Sequence, residues 1–262
     1  MYEMGRGVTR DPQRAVAIFQ RWCSTNNQYA CAHLGRAYYF GSGGLEKNDA
    51  RALQLFNAAC AANDLFGCAE LGVMYASGEG GLARDDARAA SLFQRSCEAD
   101  VAVGCANLGV FTKAARGGVA RDEARAIALF QRGCDGGAVA GCVELGLAYH
   151  TGQAGLVKDE TRAAALFQRA CGQGNLGGCT DLGLLYVNGQ GVPMDVPRGM
   201  ALYERSCGGG EPQACVNLAR LYERGFFVNK DLARAASFYQ RACNLGDKQA
   251  CEALQILSRK RR

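Results

Sequence analysis

"LFQRSCEADVAVGCANLG", residues 92–109, sets Cys97 and Cys105 eight positions apart, between two runs whose apolar residues recur at helical intervals. The same spacing returns at Cys23/Cys31, Cys60/Cys68, Cys134/Cys142, Cys171/Cys179, Cys207/Cys215 and Cys243/Cys251, so all fourteen cysteines fall into seven pairs. Successive pairs are 37, 37, 37, 37, 36 and 36 residues apart. A fixed period of this size marks a solenoid, in which one supersecondary unit buries its apolar face only by stacking on its neighbours.

Each unit reads as two helices. Twelve residues before the first Cys of each pair stand Asp11, Asn48, Asp85, Asp122, Asp159, Asp195 and Asp231. Their side-chain oxygens suit an N-cap, and Pro12 follows the first of them at the position where a missing N–H costs nothing. Four residues past the cap comes Ala or Gly, from Ala15 to Ala235; seven past, an apolar residue; eight past, always an aromatic one, from Phe19 to Tyr239. That is the buried stripe of a helix, here called helix B, which ends near the first Cys. Helix A is expected to start near the second Cys. It carries Leu three residues on (Leu34 to Leu254), Gly35, Gly72, Gly109, Gly146 and Gly183 four on, then Ala219, and Tyr38, Tyr75, Tyr149, Tyr186 and Tyr222 seven on. Glycine within a helix costs roughly 1 kcal/mol relative to alanine, so its repetition predicts that another backbone approaches there. Helix A ends in a glycine-rich turn such as GSGGLEKN or GEGGLARD, and the shorter GQGVPMD accounts for the 36-residue period. The third unit departs from the pattern, with Thr112 and Ala115 where Tyr and Gly recur.

Residues eight apart on one continuous helix are separated by about 12 Å, whereas a disulfide needs Cα atoms within about 7 Å. Pairing therefore requires a chain reversal. Spacers such as STNNQYA, DGGAVAG and NLGDKQA are rich in the Gly, Asn and Asp of turns. Zinc sites favour cysteines two to four apart and ligand clusters, and this chain has two isolated histidines, His33 and His150. Redox motifs use Cys-x-x-Cys, which does not occur. One structural disulfide per unit is the expectation, with no metal and no cofactor. Such bonds persist only in oxidising surroundings, which implies a periplasmic or secreted protein.

A net charge of +5 is concentrated at Arg259, Lys260, Arg261 and Arg262, which leaves the body near neutral and unlike a nucleic-acid-binding surface. The tail is either a solvated end or a contact for acidic surfaces. No apolar run reaches the ~20 residues of a membrane span, and MYEMGRGVTRDP has none of the features of a secretory signal. By register Tyr2 and Gly5 match Tyr186 and Gly189, so the chain is expected to begin inside a truncated helix A, with any targeting segment upstream. The expected organisation is a single solenoid over 1–257 followed by a basic tail, 258–262.

Units such as "GCAELGVMYASGEGGLARDDARAASLFQRSC", residues 67–97, resemble the Sel1-like repeat, a relative of the tetratricopeptide repeat. With a cysteine pair in each unit, they most resemble the disulfide-bridged branch typified by the Helicobacter cysteine-rich proteins. The resemblance implies an all-α, right-handed superhelix of helix pairs that acts as an interaction scaffold. Some bacterial members are described as penicillin-binding or weakly β-lactamase-like, which would bring a β-lactam or peptidoglycan fragment as ligand, and others as immunity proteins against secreted toxins. A serine enzyme of that kind needs Ser-x-x-Lys, which this chain does not contain. Gly-x-Ser-x-Gly, phosphate-loop and dinucleotide fingerprints do not occur either, so the expectation is a non-catalytic binder of a protein or peptide.

The binding face is expected on helix A opposite its core stripe, at positions two, five and nine after the second Cys, about 200°, 140° and 180° around the helix. There the strict columns give way to Arg36, Phe40, Glu70, Val73, Asn107, Val110, Glu144, Leu147, Asp181, Leu184, Asn217, Arg220 and Arg224. Helices A line the inside of the superhelix in the family, which implies a groove with an apolar middle and arginines towards its ends. Variation of this kind marks either a recognition surface or positions that solvent leaves unconstrained. Arg14, Arg51, Arg88, Arg125, Arg162, Arg198 and Arg234 form a second column, three residues after each cap. A cation there opposes the helix dipole, which predicts a partner in the adjacent turn, or else a functional basic stripe.

Overall fold

The computed structural model describes residue 9 and residues 11–260. The expectations at Tyr2 and Gly5, and those for the side chains of Arg259, Lys260, Arg261 and Arg262, lie outside the described residues. Among those described, the chain forms fourteen α-helices and no strand. In chain order these are α1 (Pro12–Cys23), α2 (Gln28–Phe40), α3 (Asp49–Ala61), α4 (Leu65–Ser77), α5 (Asp86–Glu98), α6 (Ala102–Ala114) and α7 (Glu123–Asp135). There follow α8 (Val139–Thr151), α9 (Glu160–Gly172), α10 (Leu176–Asn188), α11 (Val196–Gly208), α12 (Pro212–Arg224), α13 (Leu232–Asn244) and α14 (Lys248–Lys260). Even-numbered helices are the A helices of the sequence pattern and odd-numbered ones the B helices. The chain divides into two compact units, Met1–Gly141 and Cys142–Arg262.

Every predicted cap closes its helix. The side chains of Asp11, Asn48, Asp85, Asp122, Asp159, Asp195 and Asp231 accept the backbone N–H three residues on, at 2.8–3.0 Å. Helix A begins three residues before the second Cys, leaving a reversal of four residues at 24–27 and of three at each later junction. Each reversal places one residue at positive φ: Asn26, Asn63, Asp100, Gly137, Gly174, Gly210 and Gly246, with φ between 57° and 97°. Only Gly, Asn and Asp visit that conformation readily, which is why the spacers hold them. The reversal brings the cysteines together. In six pairs, Cys23–Cys31, Cys60–Cys68, Cys97–Cys105, Cys171–Cys179, Cys207–Cys215 and Cys243–Cys251, the Cα atoms are 4.4–4.8 Å apart and the sulfurs bonded. No described cysteine is free.

Within the first unit α2 packs on α3, α4 on α5 and α6 on α7, and each B helix packs on the A helix that follows it. The second unit repeats this from α9 to α14. The glycine column of helix A has a different cause from the expected one. A Cβ built on Gly35, Gly72, Gly109, Gly146 or Gly183 would lie 2.6–2.9 Å from a ring atom of Phe56, Phe93, Phe130, Phe167 or Tyr203. The space is kept for the aromatic side chain of the following helix B rather than for a backbone. Those five rings are at most 1% exposed, and burying each is worth about 1.5–3 kcal/mol.

Candidate functional site

Three of the seven arginines in the column, Arg88, Arg162 and Arg234, form a repeated latch. The carbonyls of Tyr75, Tyr149 and Tyr222, near the ends of α4, α8 and α12, accept the N–H of the caps Asp85, Asp159 and Asp231 at 2.9–3.0 Å. The guanidiniums of Arg88, Arg162 and Arg234 then pair with those carboxylates at 3.1–3.4 Å and donate to the tyrosine hydroxyls at 3.3 Å. They also lie over the tyrosine rings, 5.4–5.6 Å from the centroids. The neighbouring carboxylate and ring offset the unfavourable dipole. Where Thr112 interrupts the tyrosines, its buried hydroxyl donates to the Leu108 carbonyl, and a different link forms: Arg116, in the turn after α6, reaches back to the start of α5. Arg116 lies 4.3 Å over Phe111 and donates twice to Asp86, to which Arg84 also donates twice. The two arginines hold the Asp86 carboxyl well below the usual carboxylate range.

In the first unit α2, α4 and α6 touch one another directly. Arg36, Val73, Asn107 and Val110 are half-buried there, and Phe40 is exposed with the Arg36 guanidinium 5.7 Å from its ring. Two of the thirteen expected residues are committed elsewhere: Glu70 is buried, and Asn107 donates to the Val103 carbonyl within its own helix. Val73 leans on the core around Phe93. An aromatic cluster that sequence reasoning missed sits beside Arg36. The His33 ring is stacked between Phe19 and Phe66, with centroids 5.0 and 4.6 Å away, and Tyr29 lies 4.4 Å from it. Its signal was present, because Tyr29 and Phe66 hold the same position, two residues before the second Cys, in consecutive units.

In the second unit Glu144, Leu147, Asp181, Leu184 and Asn217 are half-buried, while Arg220 and Arg224 are exposed. Leu147 and Leu184 pack against core residues from outside, so they serve the core as well as the surface. Burial pushes the Asp181 carboxyl up to about 6; Glu211 adds to the shift and His150 opposes it. His150 Nδ1 is 2.6 Å from Glu160 Oε2, and Lys158 pairs with the same carboxylate at 2.8 Å. Burial works against the Glu160 charge, but those two hydrogen bonds prevail and lower its pKa. Tyr239 donates to Glu223 at 2.8 Å, next to Arg220. Charge and apolar surface thus alternate along the A helices within each unit. Among the described residues there is no group of His, Cys, Asp and Glu that could hold a metal, and no helix is long and apolar enough to cross a membrane.

The sequence matches the Sel1 repeat over residues 1–27, 28–64, 66–101, 102–137, 139–175, 177–211 and 212–247. A comparison with the curated proteins finds no match. Among solved structures the chain is similar to c5321, a protective antigen present in uropathogenic Escherichia coli strains and displaying an SLR fold, with 25% identity and a TM-score of 0.61. That likeness covers 98% of this chain and 54% of the antigen, so the chain spans about half the antigen's length. It is similar to a Sel1 repeat protein from Oxalobacter formigenes, with 24% identity and a TM-score of 0.65 over 82% of this chain and 85% of that one. Cysteine rich protein B of Helicobacter pylori shares 25% identity over 50% of this chain and 93% of its own, with a TM-score of 0.39.

Proposed function

The chain belongs to the Sel1 repeat family, and from that premise we propose that it is a non-catalytic scaffold that holds a protein or peptide against its A helices in an oxidising, extracytoplasmic compartment. Sel1 repeats generally bind proteins. The observation that carries the choice of face is the packing inside each unit. The A helices touch their A neighbours directly, as in α2–α4, α4–α6 and α10–α12, and the B helices do so more weakly among the described residues. In a stack of helix pairs the more tightly spaced layer lies on the inner side of the curve. On this reading the A faces line a groove in each unit, with Arg36 and Phe40 on α2 followed by Val73 on α4 and Val110 on α6 in the first, and Leu147 and Leu184 followed by Arg220 and Arg224 in the second. Half-buried apolar side chains rimmed by charge are what a peptide segment buries on docking. The disulfides supply the compartment, because reducing surroundings would not leave the thiols paired.

The test is capture of partners from the native host by wild-type protein and by a Val110→Asp/Leu147→Asp double variant whose melting temperature shows that it folds. Loss of the captured partner is expected, and undiminished capture rejects this face. Nitrocefin turnover is expected at the rate of buffer alone. Faster turnover would support the penicillin-binding alternative, and a captured toxin would identify an immunity protein.

A further inference from the structure

The turns from helix A to helix B carry a site of their own. The third residue past helix A is Gly43, Gly80 or Gly117 in the first unit and Gly191 in the second, each at a φ between 64° and 69°, while Ala154 holds the place after α8 at a φ of 58°. A Cβ on these glycines would lie 2.5 Å from the Pro12 carbonyl oxygen, 3.0 Å from that of Asp49, 2.2 Å from that of Asp86 and 2.1 Å from that of Glu160. Each turn therefore rests directly on the first residues of the preceding helix B. The same place in the turn between α12 and α13 is held by Phe227, at a φ of 64°. A phenylalanine is strained in this conformation and has no room to rest on a backbone as glycine does.

Phe227 and the start of α11 together wall a cavity of about 570 Å³. Tyr186, Val192, Pro193, Met194, Val196 and Pro197 complete its apolar lining, and the cap Asp195 lies at its edge with its carboxylate accepting the Arg198 backbone N–H. Phe227 is 56% exposed and Met194 59%, so the mouth is open to solvent. Arg198 stands at the same cavity and departs from the latch described above. Arg88, Arg162 and Arg234 are neutralised by their caps, whereas the Arg198 guanidinium lies 4.4 Å above the Tyr186 ring and pairs with no carboxylate among the described residues. Aromatic rings, a flexible methionine and an arginine whose guanidinium forms no ion pair among the described residues, at one cleft, are the composition of an interaction hot spot.

We propose that this cleft docks an extended segment of a partner protein, with one large apolar side chain in the cavity and an adjacent carboxylate on Arg198. The strained Phe227 keeps the cleft open. The site lies at the turns and not on the A-helix face, so it stands or falls independently of the groove.

The full chain, labelled with ¹³C-methyl methionine, is titrated with a blocked hexapeptide containing Trp-Glu and with its Trp-Gln and Ala-Glu counterparts. The expected result is a shift of the Met194 methyl resonance with Trp-Glu while Met74, buried in the core of the first unit, stays unmoved. Trp-Gln should bind about tenfold more weakly and Ala-Glu not measurably. Arg198→Gln should abolish the preference for Trp-Glu over Trp-Gln at an unchanged melting temperature. Phe227→Gly should let the turn close, raising the melting temperature and removing the Met194 response. An unmoved Met194, equal affinity for the Glu and Gln peptides, or a Met194 shift produced by raising protein concentration alone would each overturn the proposal, the last by making a second copy the occupant.

Discussion

Phe93 occupies the space that Gly72 leaves, so a single methyl group at Gly72 decides whether two helices fit. In Gly72→Ala the new Cβ would lie 2.7 Å from Phe93 Cε1 and 3.3 Å from Leu92 Cβ, and Phe93 is fully buried. Overpacking of this kind should cost about 1–3 kcal/mol, read as a lower urea midpoint with an unchanged slope. The better helix propensity of alanine returns less than that. Asp181 presents the opposite case, a residue whose burial is already unfavourable. Its folded pKa of about 6 lies above the unfolded value of ~3.9, so the native state holds the proton more tightly. Stability from this group is therefore greatest at low pH and falls as pH rises between about 4 and 6. Asp181→Asn should stabilise the protein at pH 7 by about 1–2 kcal/mol, after discounting for partial exposure, and not at pH 4. A urea series at the two pH values checks both halves of that statement.

At the scale of the helix pair, local chemistry did most of the specifying. Caps, terminal aromatics, reversal residues and cysteines all recur at fixed offsets, and every described cap is where the sequence put it. Helix A starts near the second Cys, as expected, about one turn before it, where Asn27, Asp64 and Asn175 cap α2, α4 and α10. The bond between Cys97 and Cys105 closes a short loop at the junction of two consecutive units. The chain-entropy model assigns such a loop about 2.5 kcal/mol. A Cys97→Ser/Cys105→Ser variant should lose roughly that amount in urea denaturation and keep its helical circular dichroism, because the turn at Asp100 and the edge-to-face contact of Phe93 with Phe111 remain. The latch arginines were legible only in part. The sequence called for a partner in the adjacent turn, and the structure adds that the partner is a tyrosine together with the cap carboxylate.

For the molecule as a whole, the disulfides connect the fold with the place where it works. Protein taken from its native compartment into alkylating agent, without reductant, should show no modified cysteine by mass spectrometry. Extensive alkylation would remove the oxidising compartment from the proposal. Each of the two units has its own set of half-buried A-face residues, so the proposed recognition divides into local patches. The first has the stacked aromatics around His33 together with Arg36, and the second a protonatable Asp181 and the exposed Arg220 and Arg224.

The sequence by itself determined the repeat, the two helices of each unit, their caps, the reversals and the pairing of the cysteines. These depend on contacts within about a dozen residues, and repetition states each of them seven times. Only the tertiary structure decided that the helix-A glycines admit rings rather than backbones, that Glu70 is buried while Arg220 is not, and that Phe227 opens a cavity beside Arg198. Those outcomes turn on side chains from different units competing for the same few ångströms. One side chain out of register leaves the helical pattern unchanged and alters the space beside it.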